Sequence, residues 1–111
     1  MIVNFEDIVK SKNNVIEDFD NILEKNNNVL VDFFATWCGP CRMLIPLLEK
    51  VSNTLDGLLI IKIDVDQFPE LASAYSVSAI PHLVLFKNGA ETASHSGFAS
   101  SNNLIDWIND N

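Results

Sequence analysis

Positive charge is scarce in this chain. Seven lysine and arginine residues stand against 15 aspartate and glutamate residues, which gives a net charge of −8. An acidic surface repels phosphate backbones and anionic lipid surfaces, and the seven basic residues do not cluster in the sequence. We therefore expect neither nucleic acid nor a membrane as a partner.

Cysteine, glycine and proline are also few, with two, four and four copies in 111 residues. Hydrophobic residues make up 48% of the chain and charged residues 20%, which is typical of a globular protein. A chain of this length buries about two-thirds of its surface on folding, so its core needs no disulfide staples. No repeat or linker divides the sequence, and we expect a single domain over residues 1–111.

The start of the chain lacks targeting features. Residues 1–7 have neither the basic nor the apolar region of a signal peptide, and no transit-peptide composition follows them. We therefore expect a cytoplasmic protein. In a reducing cytoplasm, two cysteines in one CxxC motif are typical of catalysis rather than of structure.

Hydrophobic periodicity predicts alternating strands and helices, although residues 7–15 show no clear pattern. A βαβ unit, expected to be right-handed, is followed by a ββα unit. This order predicts an α/β fold with a central mixed sheet of four to five strands and helices on both faces. We predict strands over 2–5, 29–35, 58–65, 83–86 and 92–96, and helices from 16 to about 25, from 38 to about 55 with a kink at Pro46, over 70–75, and after a cap at Ser101 or Asn102.

The two cysteines, Cys38 and Cys41, lie between a predicted strand and a predicted helix. Unpaired N–H groups and the helix dipole favour an anion at a helix start, and the thiolate is the reactive form of cysteine. We expect Cys38 to be the more acidic and more exposed sulfur, with Cys41 one turn further along the same face. The pair is suited to cycle between dithiol and disulfide.

Two other interpretations of this motif are weaker. A structural disulfide that closes so short a loop would stabilise the fold by roughly 2 kcal/mol, which a domain with its own core does not need. A zinc site needs four ligands, and the spacing of His82 and His95 does not fit the usual pattern. The sequence therefore favours redox chemistry and predicts no metal.

The residues around the motif carry a resemblance to a known family. The run Val31–Met43 contains Trp37-Cys38-Gly39-Pro40-Cys41 and is followed by Ala79-Ile80-Pro81 and by Phe86-Lys87-Asn88-Gly89. Across almost the whole chain this pattern resembles the thioredoxin family. The resemblance implies the thioredoxin fold and a monomeric, general protein-disulfide reductase without a bound cofactor. It also implies electrons from NADPH through thioredoxin reductase, and disulfide-containing proteins as substrates.

Asp32 is the only ionisable residue in its predicted strand. Burial should raise the pKa of its carboxyl and suit it as a general base for Cys41. Alternatively, Asp32 is a structural carboxylate paired with Lys62 on the neighbouring strand. Thioredoxins carry an aspartate and a lysine at the matching positions, so the resemblance implies a catalytic contribution of Asp32.

The resemblance also implies a substrate-binding surface. It places a cis-proline, Pro81, against the dithiol, with the backbone of Ile80 paired to the substrate chain. An apolar collar around Cys38 is expected from these two residues together with Trp37, Gly97 and Phe98. The alternative for Trp37 is that it packs on its own domain.

Four residues are expected to tune the redox chemistry: Gly39, Pro40, Lys62 and His82. The Gly39-Pro40 pair resembles the insert of the reducing members of the family. His82 stands where threonine usually follows the proline. If its ring approaches Cys38, an imidazolium would stabilise the thiolate and raise the reduction potential. Otherwise, His82 is structural.

Two alternative functions stay open at this point. One is a disulfide isomerase or oxidase of an oxidising compartment. The other is a binding subunit that docks a partner according to its redox state, with binding that survives Cys38→Ser.

Overall fold

The computed structural model describes residues 1–111. Its elements are β1 (Ile2–Asn4), α1 (Phe5–Ile8), α2 (Val15–Lys25), β2 (Asn28–Phe34), α3 (Gly39–Thr54), β3 (Leu59–Asp64), α4 (Pro69–Ala74), β4 (His82–Lys87), β5 (Ala90–Ser96) and α5 (Ser101–Asp110). One five-stranded sheet has the order β1-β3-β2-β4-β5. β3 runs parallel to β1 and β2, whereas β4 is antiparallel to β2 and β5. The predicted α/β class and mixed sheet are confirmed.

Alternation along β2 sends side chains into two separate cores. Val31 and Phe33 face one core, which α2 and α4 cover, whereas Leu30 faces the other, which α3 and α5 cover. β2 is therefore buried on both faces, as its almost continuous apolar sequence predicts. Asp32 is two residues from Leu30 and therefore points to the same face of the sheet, so its carboxyl lies on the α3 face.

An aromatic cluster fills the first core. The ring of Phe19 in α2 makes edge-to-face contacts with Phe5 at 6.0 Å, Tyr75 at 5.6 Å and Phe86 at 5.9 Å between centroids. Such pairs add to the stabilisation from buried area. The cluster joins α1, α2 and the end of α4 to the sheet and so fixes the face opposite α3.

The structure corrects several predicted boundaries by one or two residues; β5, for example, begins at Ala90 rather than at Thr92. The first strand ends at Asn4, because Phe5 begins the short helix α1 and its side chain is fully buried. The cap of α5 is Ser100, not Ser101 or Asn102, since the Ser100 hydroxyl accepts a hydrogen bond from the Asn103 N–H at 3.2 Å. α3 continues through Pro46 to Thr54.

Replacing Phe19 tests the aromatic cluster. Phe19→Ala should lower the free energy of unfolding by about 3–5 kcal/mol, because the ring is fully buried and leaves a cavity. Ile16→Ala on the same helix is the matched control, since Ile16 is 46% exposed, and its effect should stay within about 0.5 kcal/mol. Denaturant unfolding measures both, and equal losses would contradict this account of the core.

Candidate active site

The site begins where β2 ends and α3 starts. Cys38 is the N-cap residue of α3, and its Sγ accepts a hydrogen bond from the Cys41 N–H at 3.2 Å. Pro40 lies in the first turn, where its missing N–H leaves no helical hydrogen bond unmade. The Cys38 sulfur therefore occupies the position at which the helix dipole and free N–H groups favour negative charge.

Cys38 and Cys41 form a disulfide, with their Cα atoms 5.3 Å apart. Cys38 is 5% exposed and Cys41 is 1% exposed. Cys38 is thus the more exposed of the two, as predicted, but both residues are largely covered. The little exposure that remains is therefore mainly on the Cys38 side of the bond.

The segment before β4 covers this side. The Ile80–Pro81 peptide bond is cis, as the resemblance implied. The Ile80 carbonyl oxygen lies 3.9 Å from the Cys38 sulfur, and the Pro81 carbonyl accepts a hydrogen bond from the Gly97 N–H at 2.8 Å. Gly97 has a φ of +93°, a conformation that favours glycine. The structure thus brings three of the five predicted collar residues to one place.

Trp37 and Phe98, the other two, are 67% and 48% exposed. Trp37 and Ile80 line a shallow, mainly apolar groove of about 200 Å³ beside the disulfide, whereas Phe98 does not. The Trp37 indole donates a hydrogen bond to an Asp66 carboxylate oxygen at 2.9 Å. Sequence reasoning missed Asp66, because only the geometry of the loop after β3 brings it to the indole.

Asp32 is fully buried, and neither of its carboxylate oxygens has a hydrogen-bond partner. Burial raises the pKa of its carboxyl from 3.8 to about 6, and the positive charge of Lys62 opposes this rise. The predicted ion pair between these two residues is not formed. The Lys62 ammonium lies instead over the Phe34 ring, 4.4 Å from its centroid.

A second pocket lies beside Cys41. It has a volume of about 230 Å³ and is mainly apolar. Arg42, which also lines this pocket, donates a hydrogen bond to the Thr36 carbonyl at 2.8 Å. The pocket is lined by Phe34, Ala35, Thr36, Cys41, Arg42, Ile45 and Lys62.

His82 points toward the opposite face of the sheet from α3. Its Nδ1 is 2.6 Å from the Ser96 hydroxyl oxygen, and its ring packs beside Phe33. Burial lowers the pKa of its imidazole, which favours the neutral ring. No hydrogen bond joins His82 to either cysteine, so the proposed tuning of the thiolate has no contact behind it and stays a prediction.

The structure contains neither a cluster of metal-binding side chains nor a helix able to span a membrane. No group of three or more His, Cys, Asp or Glu side chains is placed to hold a metal ion. None of the helices combines the length and apolar content needed to cross a bilayer.

Comparison with known proteins identifies this geometry. The family model described as Thioredoxin matches residues 4–110. The chain belongs to the thioredoxin family. It is 43% identical to the thioredoxin of Rickettsia typhi (strain Wilmington) over 110 residues, which cover 98% of this chain and 97% of that relative.

Solved thioredoxin structures share the fold. The N21Q mutant thioredoxin from Halobacterium salinarum NRC-1 aligns with a TM-score of 0.83 and 36% identity, covering 98% of this chain and 88% of that one. Oxidised mitochondrial thioredoxin 3 from Saccharomyces cerevisiae aligns with a TM-score of 0.80 and 35% identity, covering 86% and 90%. Together with the Cys38–Cys41 disulfide, the family makes this thioredoxin-family chain a thiol-disulfide oxidoreductase with protein-disulfide reductase activity.

The buried carboxyl predicts a pH-dependent stability. Because folding raises the pKa of Asp32 from 3.8 to about 6, its stabilising contribution is complete below pH 3.8 and is lost as the pH rises through about 6. Asp32→Asn is neutral at every pH. Its free energy of unfolding relative to the parent should therefore increase by roughly 2–3 kcal/mol from pH 4 to pH 8.

Denaturant unfolding of the oxidised proteins at the two pH values measures this change. Asp106→Asn controls for the loss of one negative charge, since Asp106 is exposed. The same difference between Asp32→Asn and parent at both pH values would contradict the raised pKa.

Proposed function

We propose that this chain is a cytoplasmic, monomeric, single-domain reductase of many protein disulfides, re-reduced by NADPH through thioredoxin reductase. The observation that carries the proposal is the Cys38–Cys41 disulfide at the start of α3, next to an exposed apolar groove. A shallow groove with few polar groups suits varied extended chains rather than one ligand. One solved relative is a mitochondrial thioredoxin, so membership of the family does not by itself place this chain in the cytoplasm, and the cytoplasm is part of the proposal.

The reaction is a pair of thiol-disulfide exchanges. In the dithiol form, the Cys38 thiolate attacks one sulfur of the substrate disulfide; a Cys38–substrate bond forms, and the other substrate sulfur leaves as a thiolate. Cys41, deprotonated, then attacks the Cys38 sulfur and releases the second substrate thiolate. The substrate gains two electrons, and the protein is left with the Cys38–Cys41 disulfide.

Two local features support the role of Cys38 as the attacking sulfur. The Cys41 N–H donates a hydrogen bond to the Cys38 Sγ, and the start of α3 favours an anion at the same atom. Cys41 is more deeply buried than Cys38, which suits a sulfur that attacks only after the substrate is bound. The Gly39-Pro40 pair keeps the two cysteines one helical turn apart.

The substrate chain is proposed to lie along the segment before β4. The Ile80 carbonyl is next to the Cys38 sulfur, and the groove beside it is lined by apolar side chains. A backbone hydrogen bond at Ile80 would position any sequence, since every peptide carries the same donor and acceptor. The hydrogen bond from the Gly97 N–H to the Pro81 carbonyl would hold the neighbouring Ile80 carbonyl in place.

Asp32 is proposed as the general base for Cys41. Its carboxyl lies on the α3 face of the sheet, and both of its oxygens are free to accept a proton. With a pKa of about 6, it is mainly ionised at pH 7, yet it is more basic than an ordinary aspartate. The proton of the Cys41 thiol would pass to Asp32 as the sulfur attacks.

Turnover with the proposed electron donor tests this function. NADPH and thioredoxin reductase should drive reduction of insulin disulfides by this protein, followed as NADPH oxidation, whereas glutathione as the only donor should support far less. Cys38→Ser should abolish turnover, and Cys41→Ser should trap the substrate as a mixed disulfide, visible by mass spectrometry. If glutathione supports the same rate without the reductase, the proposed electron route is wrong.

The base role predicts a specific kinetic defect. Asp32→Asn should slow the resolution of the mixed disulfide at pH 7 by about tenfold, which is less than the roughly 10²- to 10⁴-fold typical of general acid–base catalysis, because water can partly replace the carboxylate. The defect should shrink toward pH 9, where solvent deprotonates the Cys41 thiol. Rapid-mixing kinetics from pH 6 to 9 measure it, and identical profiles for variant and parent would exclude the role.

A further inference from the structure

Lys62 has two possible partners on one face of the sheet. Asp32 and Phe34 are two residues apart on β2, and Lys62 on β3 is in register with Asp32. Strand alternation directs all three side chains to the face that α3 covers. The Lys62 ammonium could therefore lie against the Asp32 carboxyl or over the Phe34 ring.

The structure shows the second arrangement. Nζ of Lys62 is 4.4 Å from the Phe34 ring centroid, within the range of a cation–π interaction. Lys62 is half-buried in the pocket beside Cys41, so its ammonium keeps part of its hydration. Moving the ammonium onto the fully buried Asp32 would cost that hydration and the contact with the ring.

The other charged groups near Lys62 have partners of their own. Asp64, two residues further along β3, accepts a hydrogen bond from the Asp66 N–H at 2.9 Å. Arg42, at the start of α3, donates to the Thr36 carbonyl. Asp64 forms no ion pair with Lys62, and Arg42 is itself a cation, so the Phe34 ring is the group that the structure places against the ammonium.

We propose that Phe34 is a positioning residue whose ring holds the Lys62 ammonium away from the Asp32 carboxyl and thereby keeps that carboxyl basic. A contact between ammonium and carboxylate would stabilise the ionised form and make Asp32 a poorer base. The benefit to catalysis rests on the general-base role proposed above. The positioning itself is a property of the oxidised, resting protein.

Replacing the ring tests the proposal. In Phe34→Leu the ammonium loses its aromatic partner and should move toward Asp32, which should lower the Asp32 pKa by about 1 unit. Phe34→Trp keeps an aromatic face and should leave the pKa close to that of the parent. Carbon-13 NMR of the Asp32 carboxyl in the oxidised proteins gives each value, and Phe34→Met serves as a second variant without a ring.

A Lys62→Met background separates the effect of the ammonium on the Asp32 pKa from the effect of added water. Phe34→Leu could also admit solvent to Asp32, which would lower its pKa without Lys62. In a Lys62→Met background, Phe34→Leu should therefore cause little or no shift if the ammonium is responsible. An equal fall in both backgrounds, or an unchanged pKa in Phe34→Leu alone, would overturn the proposal.

The titration needs no turnover, so its result is independent of the proposed function. If Asp32 is also the base, the pH profile of mixed-disulfide resolution in Phe34→Leu should move to lower pH by the same amount as the pKa. A shifted pKa with an unmoved rate profile would support the positioning by Phe34 and count against the base role of Asp32.

Discussion

The chemistry of this protein depends on one hydrogen bond, from the Cys41 N–H to the Cys38 sulfur at the first turn of α3. The bond needs β2 to end and α3 to begin at fixed positions. Each of these elements is held by a core: β2 by both, and α3 by the one that it shares with α5. Much of the packing of the fold thus serves to keep a sulfur atom at a helix N-terminus, where an anion is stable.

The burial of Asp32, by contrast, works against the stability of the fold. A carboxyl without hydrogen-bond partners in the middle of a sheet weakens the fold whenever it is ionised. Buried groups with a displaced pKa are frequent at functional sites, and the same burial that costs stability makes Asp32 more basic.

Much of the fold could be predicted from the sequence, because long apolar runs and helical spacing extend over most of the chain. α1 was missed, since its four residues are too few to show a period. The cap of α5 was misplaced by one or two residues because serines stand at both positions 100 and 101. This second error concerns an element end, where the neighbouring residue types are equally suitable.

The parts of the site that are contiguous in the sequence could be predicted. Contacts for which a side chain has two possible partners, or which join distant residues, could be predicted much less well. The cysteine pair and its helix start follow from one pentapeptide. By contrast, Asp32 is in register with Lys62 and Phe34 lies two residues further along the same face of β2, and only the packed structure shows that the ammonium contacts Phe34. The hydrogen bond between Trp37 and Asp66 likewise joins two loops that are 29 residues apart.

Because Cys38 is largely covered, the shape of a substrate protein would influence whether its disulfide can be reduced. With only 5% of the residue exposed, a disulfide recessed within a rigid globule cannot approach the sulfur in line. A disulfide on a protruding loop, or in a chain that has come loose, can do so. Whether the region around a substrate disulfide is folded, more than its amino-acid sequence, would then decide whether that disulfide is reduced.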